Sequence, residues 1–142
     1  MQITTILWFL VSVWIVCTDI SHRLISNIQI LSVIILGILC FFQYGLDINT
    51  WTSLGIFLIG FLLWHFGFLG AGDVKLLSIL SLIMPYHLIL SFLFLTSLIG
   101  AGIGIIIWIL WHLFGINRTV PYGIAIMSSF LLLFLPKMIQ KI

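Results

Sequence analysis

The chain holds only three carboxylates, Asp19, Asp47 and Asp73, and no Glu, so any acid–base chemistry falls to few candidates. Two of them stand where an apolar stretch meets a short turn: Asp19 follows Ile15-Val16-Cys17-Thr18, and Asp73 precedes Val74-Lys75-Leu76-Leu77. Ionisable groups in such surroundings are costly and by default mark function. If the two meet in a poorly solvated site, they cannot both ionise readily and tend to hold one proton between them. The ionised member then takes a proton from water, while the protonated member hydrogen-bonds a scissile carbonyl and stabilises charge on its oxygen. Peptide hydrolysis needs both roles. A purely structural account stands beside this one, because Asp73 is placed to cap the helix it opens and Arg23 lies four residues after Asp19. Spacing alone leaves both open.

The other candidates point to less. Asp47 sits between apolar runs near Asn49 and Trp51 and reads as a solvated loop residue. Lys75 is two positions from Asp73, so on a helix the side chains diverge by about 200° and do not pair directly. It either snorkels to the interface or acts on the Asp73 charge or a substrate backbone. Gly70 and Gly72 let a peptide backbone or a facing helix approach Asp73 closely. His65, His87 and His112 share no metal-ligand spacing, and Cys17 and Cys40 lie in separate apolar runs as inert small hydrophobes. Neither a metal nor a cofactor is expected.

The elements that position these residues follow from composition. Of 142 residues, 63% are hydrophobic and 6% charged, and mean hydropathy is +1.41. So few charges cannot cover a water-soluble surface, and lipid must be the solvent for most of the chain. A net charge of +2 without a basic stripe excludes nucleic-acid binding. Apolar runs recur at Ile3 to Thr18, Asn27 to Tyr44, Thr50 to Leu69, Asp73 to Met84, Leu88 to Phe114 and Val120 to Leu135. Most suit a hydrocarbon core about 30 Å thick. The expectation is an all-α polytopic membrane protein of about six transmembrane helices, a single domain over 1–142, with the first run retained rather than cleaved as a signal. Breaks fall at Asp19 to Ser26, Gly45 to Asn49, the Gly70-Ala71-Gly72 turn, Pro85 to His87 and Gly115 to Arg118.

The fourth run, about 18 Å of helix, is too short to cross, so its ends lie below the surface or the Gly70–Gly72 turn dips inward under protein cover. The fifth is long and should tilt or project, with Gly100, Gly102 and Gly104 permitting close packing or a bend. Six crossings put both termini on one side and the segments around Arg23, Lys75 and Arg118 on the other. The positive-inside rule makes that second side cytoplasmic, although Lys137 and Lys141 pull the other way. It is also the level at which Asp19 and Asp73 can meet. Trp8, Trp51, Trp64, Trp108 and Trp111 fit interfacial belts, whereas Trp14 is deeper or marks an early helix end.

Three segments carry a resemblance. Gly70-Ala71-Gly72-Asp73-Val74-Lys75-Leu76 matches the GxGDxKL pattern of type IV prepilin peptidases, whose GxGD core is shared with the presenilin and signal-peptide-peptidase group of intramembrane aspartic proteases. Asp19-Ile20-Ser21-His22-Arg23-Leu24-Ile25-Ser26-Asn27 resembles that family's first-aspartate segment, and Val120-Pro121-Tyr122-Gly123-Ile124-Ala125-Ile126 is similar to its Pro-Tyr/Phe-Gly-x-Ala segment. The resemblance implies Asp19 and Asp73 as the catalytic pair, supported by Gly70, Gly72, Lys75, Arg23, Asn27, Pro121 and Gly123. It implies leader cleavage of prepilin or pseudopilin substrates at the cytoplasmic face of a bacterial inner membrane. One position departs: Ser26 stands where the family usually has Pro, which removes that residue's rigidity from the turn. The chain looks like the short form of tight-adherence (Flp-type) pili, and the methyltransferase activity of larger relatives does not carry over. Two rivals remain from the residues: a proton or ion translocator, which needs polar residues continuing across the bilayer, and a non-catalytic subunit of a pilus or secretion assembly.

Overall fold

The computed structural model describes residues 2–45, 48–115 and 120–140, and among them the protein is all-helical. Six helices follow in order: α1 (Gln2–His22), α2 (Asn27–Tyr44), α3 (Thr50–His65), α4 (Ala71–Ile83), α5 (Tyr86–Phe114) and α6 (Tyr122–Gln140). By length and composition α1, α2 and α5 are each apolar enough to cross a membrane, and α3 and α6 are shorter apolar helices. Large side chains such as Ile3, Phe42, Trp51, Leu90 and Leu132 are exposed around the bundle. That outward apolar surface is what a lipid-solvated protein presents.

The second run has the predicted bounds; others shift at their ends. α1 does not stop at Thr18 but continues to His22 and closes where Arg23 takes the left-handed conformation, with φ of 56°. The Arg23 N–H donates to the Asp19 carbonyl at 3.1 Å, satisfying an orphan acceptor of the last turn. Asp19 is therefore a residue within the helix, not of the turn after it. Nor is Gly70-Ala71-Gly72 the turn: Gly70 is the N-cap of α4 and Ala71 and Gly72 are already helical. The chain reverses earlier, at Phe66 to Phe68, where Gly67 has φ of 77°.

At 13 residues α4 is about 20 Å long and short of the hydrocarbon thickness, as anticipated. It is buried on several sides, through Val74, Leu76, Ser78, Leu80, Ser81 and Ile83, and packs on α2, α3 and α6. A short helix is sustainable at this depth because neighbouring protein covers it. Around it, α1 packs on α2 and α6, and α5 on α6. Gly100 faces Tyr122 and Gly104 faces Val120, so two of the three α5 glycines serve close packing at the start of α6; Gly102 faces open space.

Trp8 is not an interfacial residue. It is fully buried, packs tilted against Phe130 and edge-on to Phe134, and donates its indole N–H to Cys40 Sγ at 3.1 Å. Trp14 is exposed in mid-helix, and α1 does not end there. Asp47, Arg118 and Lys141 lie outside the described residues, as does the side chain of Lys137.

Candidate active site

The two carboxylates arrive from helices of opposite direction, one near the end of α1 and one in the first turn of α4. That geometry brings Asp19 and Asp73 to the same end of the bundle, near enough to act on each other electrostatically. Arg23 also acts on Asp19 through space. Asp19 is buried, with 5% of its surface exposed, and Asp73 is half-buried.

Asp19 has a specific partner on a third helix. The Gly123 N–H, at the amino end of α6, donates to Asp19 Oδ2 at 2.7 Å. The first N–H groups of a helix have no intrahelical acceptor, and the helix dipole favours an anion there. Asp19 thus satisfies α6 from α1, a capping role, but for a helix 104 residues away in sequence. Gly123 permits it: a Cβ there would lie 2.7 Å from Asp19 Oδ2 and 3.1 Å from Asp19 Cβ. Pro121, buried just before the helix, has no N–H to leave unpaired.

Asp73 does take part in the cap of its own helix. Its Oδ2 accepts the Gly70 N–H at 3.2 Å, the reach of a third-position acid back to the N-cap. Gly70 leaves room for the carboxylate, since a Cβ would meet Asp73 Oδ2 at 2.7 Å. Gly72 serves the neighbouring segment instead, its missing Cβ falling 2.8 Å from Ile25 Cβ and 3.3 Å from the Ile25 carbonyl. The turn after α1 therefore lies against the first turn of α4. Lys75 strengthens this junction: its Nζ donates to Asn27 Oδ1 at 3.2 Å, linking α4 to the start of α2.

Residues that the chemistry-bearing types did not flag complete the setting. Ser26 is the N-cap of α2, and its Oγ accepts the Gln29 N–H at 3.3 Å while Gln29 Oε1 accepts the Ser26 N–H at 2.9 Å. This reciprocal capping box replaces the missing proline with hydrogen bonds. The buried Gln29 also donates to Thr18 Oγ1 at 2.6 Å, next to Asp19. The Ser-x-x-Gln signature of Ser26 to Gln29 was the signal available for it. His65, His87 and His112 are not gathered with other ligand types; among the described residues no three His, Cys, Asp or Glu come together as a metal cluster.

No curated protein and no solved structure matches the chain. The type IV leader peptidase family matches residues 5–105, a stretch holding Asp19, the Ser26 turn, Gly70, Gly72, Asp73 and Lys75, while Pro121 and Gly123 lie beyond it. With both carboxylate segments inside a match that spans well over half of its length, this all-helical membrane protein belongs to the type IV leader peptidase family and is a peptidase.

Proposed function

We propose that Asp19 and Asp73 are the catalytic pair of an aspartic endopeptidase that removes the leader from prepilin-type precursors. The observation that carries this reading is their proximity at one end of the bundle, each held by a backbone N–H: Gly123 for Asp19 and Gly70 for Asp73. Within the pair, the amino end of α6 favours negative charge on Asp19, which makes it the acceptor of the water's proton. Asp73, with a single longer N–H contact, is the member that holds the shared proton and donates to the scissile carbonyl oxygen. Arg23, Asn27, Lys75, Gly70, Gly72, Pro121 and Gly123 support the pair by holding the ends of α1, α2, α4 and α6 together.

The substrate in this reading is a type IV prepilin or pseudopilin, cut at the cytoplasmic face of a bacterial inner membrane by one domain over 1–142. Arg23 and Lys75 at the site end, and Arg118 in the sequence after α5, favour the cytoplasmic side by the positive-inside rule. A peptide bond just outside an apolar helix suits such a site, because backbone at the membrane edge unwinds with less penalty than at its centre. The test is co-expression with candidate prepilins, read by N-terminal sequencing of the precursor. A new N-terminus at one position is the expected outcome. Precursors left intact by a chain that is folded in the membrane would refute the proposal and favour a non-catalytic role.

A further inference from the structure

Lys75 carries a charge that its protein partner does not compensate. It is exposed on α4, and among the described residues its Nζ has one partner, the neutral Asn27 Oδ1 at 3.2 Å. An ammonium has three donors, so two remain for an acceptor outside the protein. The Asn27 link also fixes where the charge sits: between α4 and α2, at the polar end of the bundle that holds Arg23 and Ser26.

Further along the same two helices, away from that polar end, runs an apolar trough. Its cavity of about 430 Å³ lies between α2 and α4, walled by Ile34 and Ile38 on one side and by Ile79 and Leu82 on the other. Gly37 forms the floor: a Cβ there would lie 3.1 Å from Ile83 Cγ2, so the helices meet behind the trough. Ile34 and Ile38 are exposed, and the trough opens on the lipid-facing surface. Helical periodicity aligns trough and charge. Ile34 and Ile38 stand seven and eleven residues after Asn27, and Ile79 and Leu82 four and seven after Lys75, spacings that keep each set on one helix face. At 1.5 Å per residue the first apolar wall residue lies about 6 Å beyond Lys75 on α4 and about 10 Å beyond Asn27 on α2.

We propose that this trough binds an anionic phospholipid, with an acyl chain along Ile34, Ile38, Ile79 and Leu82 and the phosphate on Lys75. Charge chooses the occupant. An ammonium set at the end of an apolar trough complements an anionic headgroup joined to an acyl chain, and basic sites between transmembrane helices select such lipids. Size points the same way: a helix 10–12 Å across and as long as the trough walls fills on the order of 1,000 Å³, more than this cavity holds, whereas a single extended chain fits. The site stands apart from the peptidase reading, since it requires only that the end carrying Lys75 meet a membrane surface.

The full chain in nanodiscs of phosphatidylcholine with about one-fifth phosphatidylglycerol provides the test. A benzophenone amino acid replaces Ile34 in the trough or, as control, Phe94, an exposed residue of α5, and the crosslinked lipid is identified by mass spectrometry. Phosphatidylglycerol should be enriched about 5-fold over the bulk ratio at position 34, the attraction of one lysine for an anionic lipid, and not at 94. Lys75→Gln should return position 34 to the bulk ratio, and Lys75→Arg should keep the enrichment. Asn27→Ala breaks the same link between α2 and α4 but leaves the charge, so it should lose less than Lys75→Gln. An equal loss in Asn27→Ala overturns the inference, because the link and not the charge then governs binding. Equal ratios at 34 and 94 overturn it, as does enrichment that survives Lys75→Gln. A prepilin-type precursor that replaces lipid in the crosslink at 34 would assign the trough to substrate and overturn it as well.

Discussion

Replacing Gly123 by Ala adds one carbon at the point where α6 meets Asp19. Gly123 does not have the positive φ of Gly45, Gly67 and Gly115, so the substitution brings no backbone strain and its effect is steric. The new Cβ would sit 2.7 Å from Asp19 Oδ2, 3.0 Å from Cγ and 3.1 Å from Cβ, where ordinary contact begins at 3.4 Å. The carboxylate oxygen must retreat by about 0.7 Å, and because the Asp19 Cβ is also crowded, rotating the carboxylate alone does not relieve the clash. A shift near 1 Å at a reacting group lowers rate by about 10²-fold. Stability should move much less: overpacking costs about 1–3 kcal/mol, and Ala in place of a helical Gly returns up to about 1 kcal/mol. The expected result is a protein that remains folded in detergent, with cleavage of a prepilin-type precursor reduced about 10²-fold. Gly55→Ala is the control, since a Cβ there meets nothing within 4 Å, and its activity should be unchanged. Cleavage by Gly123→Ala above about a tenth of the wild-type rate would refute the view that the α6 N-terminus sets the position of Asp19.

Asp19→Asn and Asp73→Asn should each lower cleavage by about 10²–10⁴, with the double variant little worse, whereas Asp47→Asn stays near normal; a single variant above about a tenth of wild type would sink the two-carboxylate mechanism. In a Cys17→Ser background, Cys at positions 21 and 117 should resist an impermeant thiol reagent applied outside intact cells while Cys at 48 reacts, and the reverse pattern would put the site on the other face. Ser26→Ala removes the acceptor for the Gln29 N–H and should cost about 1 kcal/mol in detergent unfolding; unaltered stability would mean that the capping box does not hold the turn.

The sequence made much of this architecture legible because lipid exposure imposes a coarse code. Apolar runs broken by Gly, Pro and polar residues located every helix, and α2 to the residue, since its ends carry their own signals in Ser26 and Gly45. The sequence shortens α1 because Asp19 and Ser21 form a polar break. A polar residue ends an apolar run but does not end a helix whose polar face finds partners, and Asp19 finds Gly123. Trp8 shows the converse: position near a run end suits a belt, but only packing reveals that the indole is covered by Phe130 and Phe134 and its N–H taken by Cys40.

The site itself was legible as a list of residues and not as a set of contacts. By sequence Gly70 and Gly72 alike offer space for something to approach Asp73, and the structure divides them: Gly70 admits the Asp73 carboxylate to its own N-cap, and Gly72 admits the Ile25 backbone. Lys75, with two readings open, donates to Asn27. The Ser26 departure follows the same logic. Its φ of −75° is one a proline ring would also hold, so the turn keeps the conformation that proline favours. A proline at 26 would fix that angle but remove the N–H that Gln29 Oε1 accepts, and with it one of the bonds that orient Gln29. The serine instead secures the angle through Gln29, and Gln29 passes the constraint to Thr18, beside Asp19. Covalent rigidity is thereby exchanged for a hydrogen-bonded chain from the α2 N-cap to the last turns of α1. The consequence is that Gln29, an uncharged residue, ties the N-cap of α2 to the last turns of α1, next to Asp19.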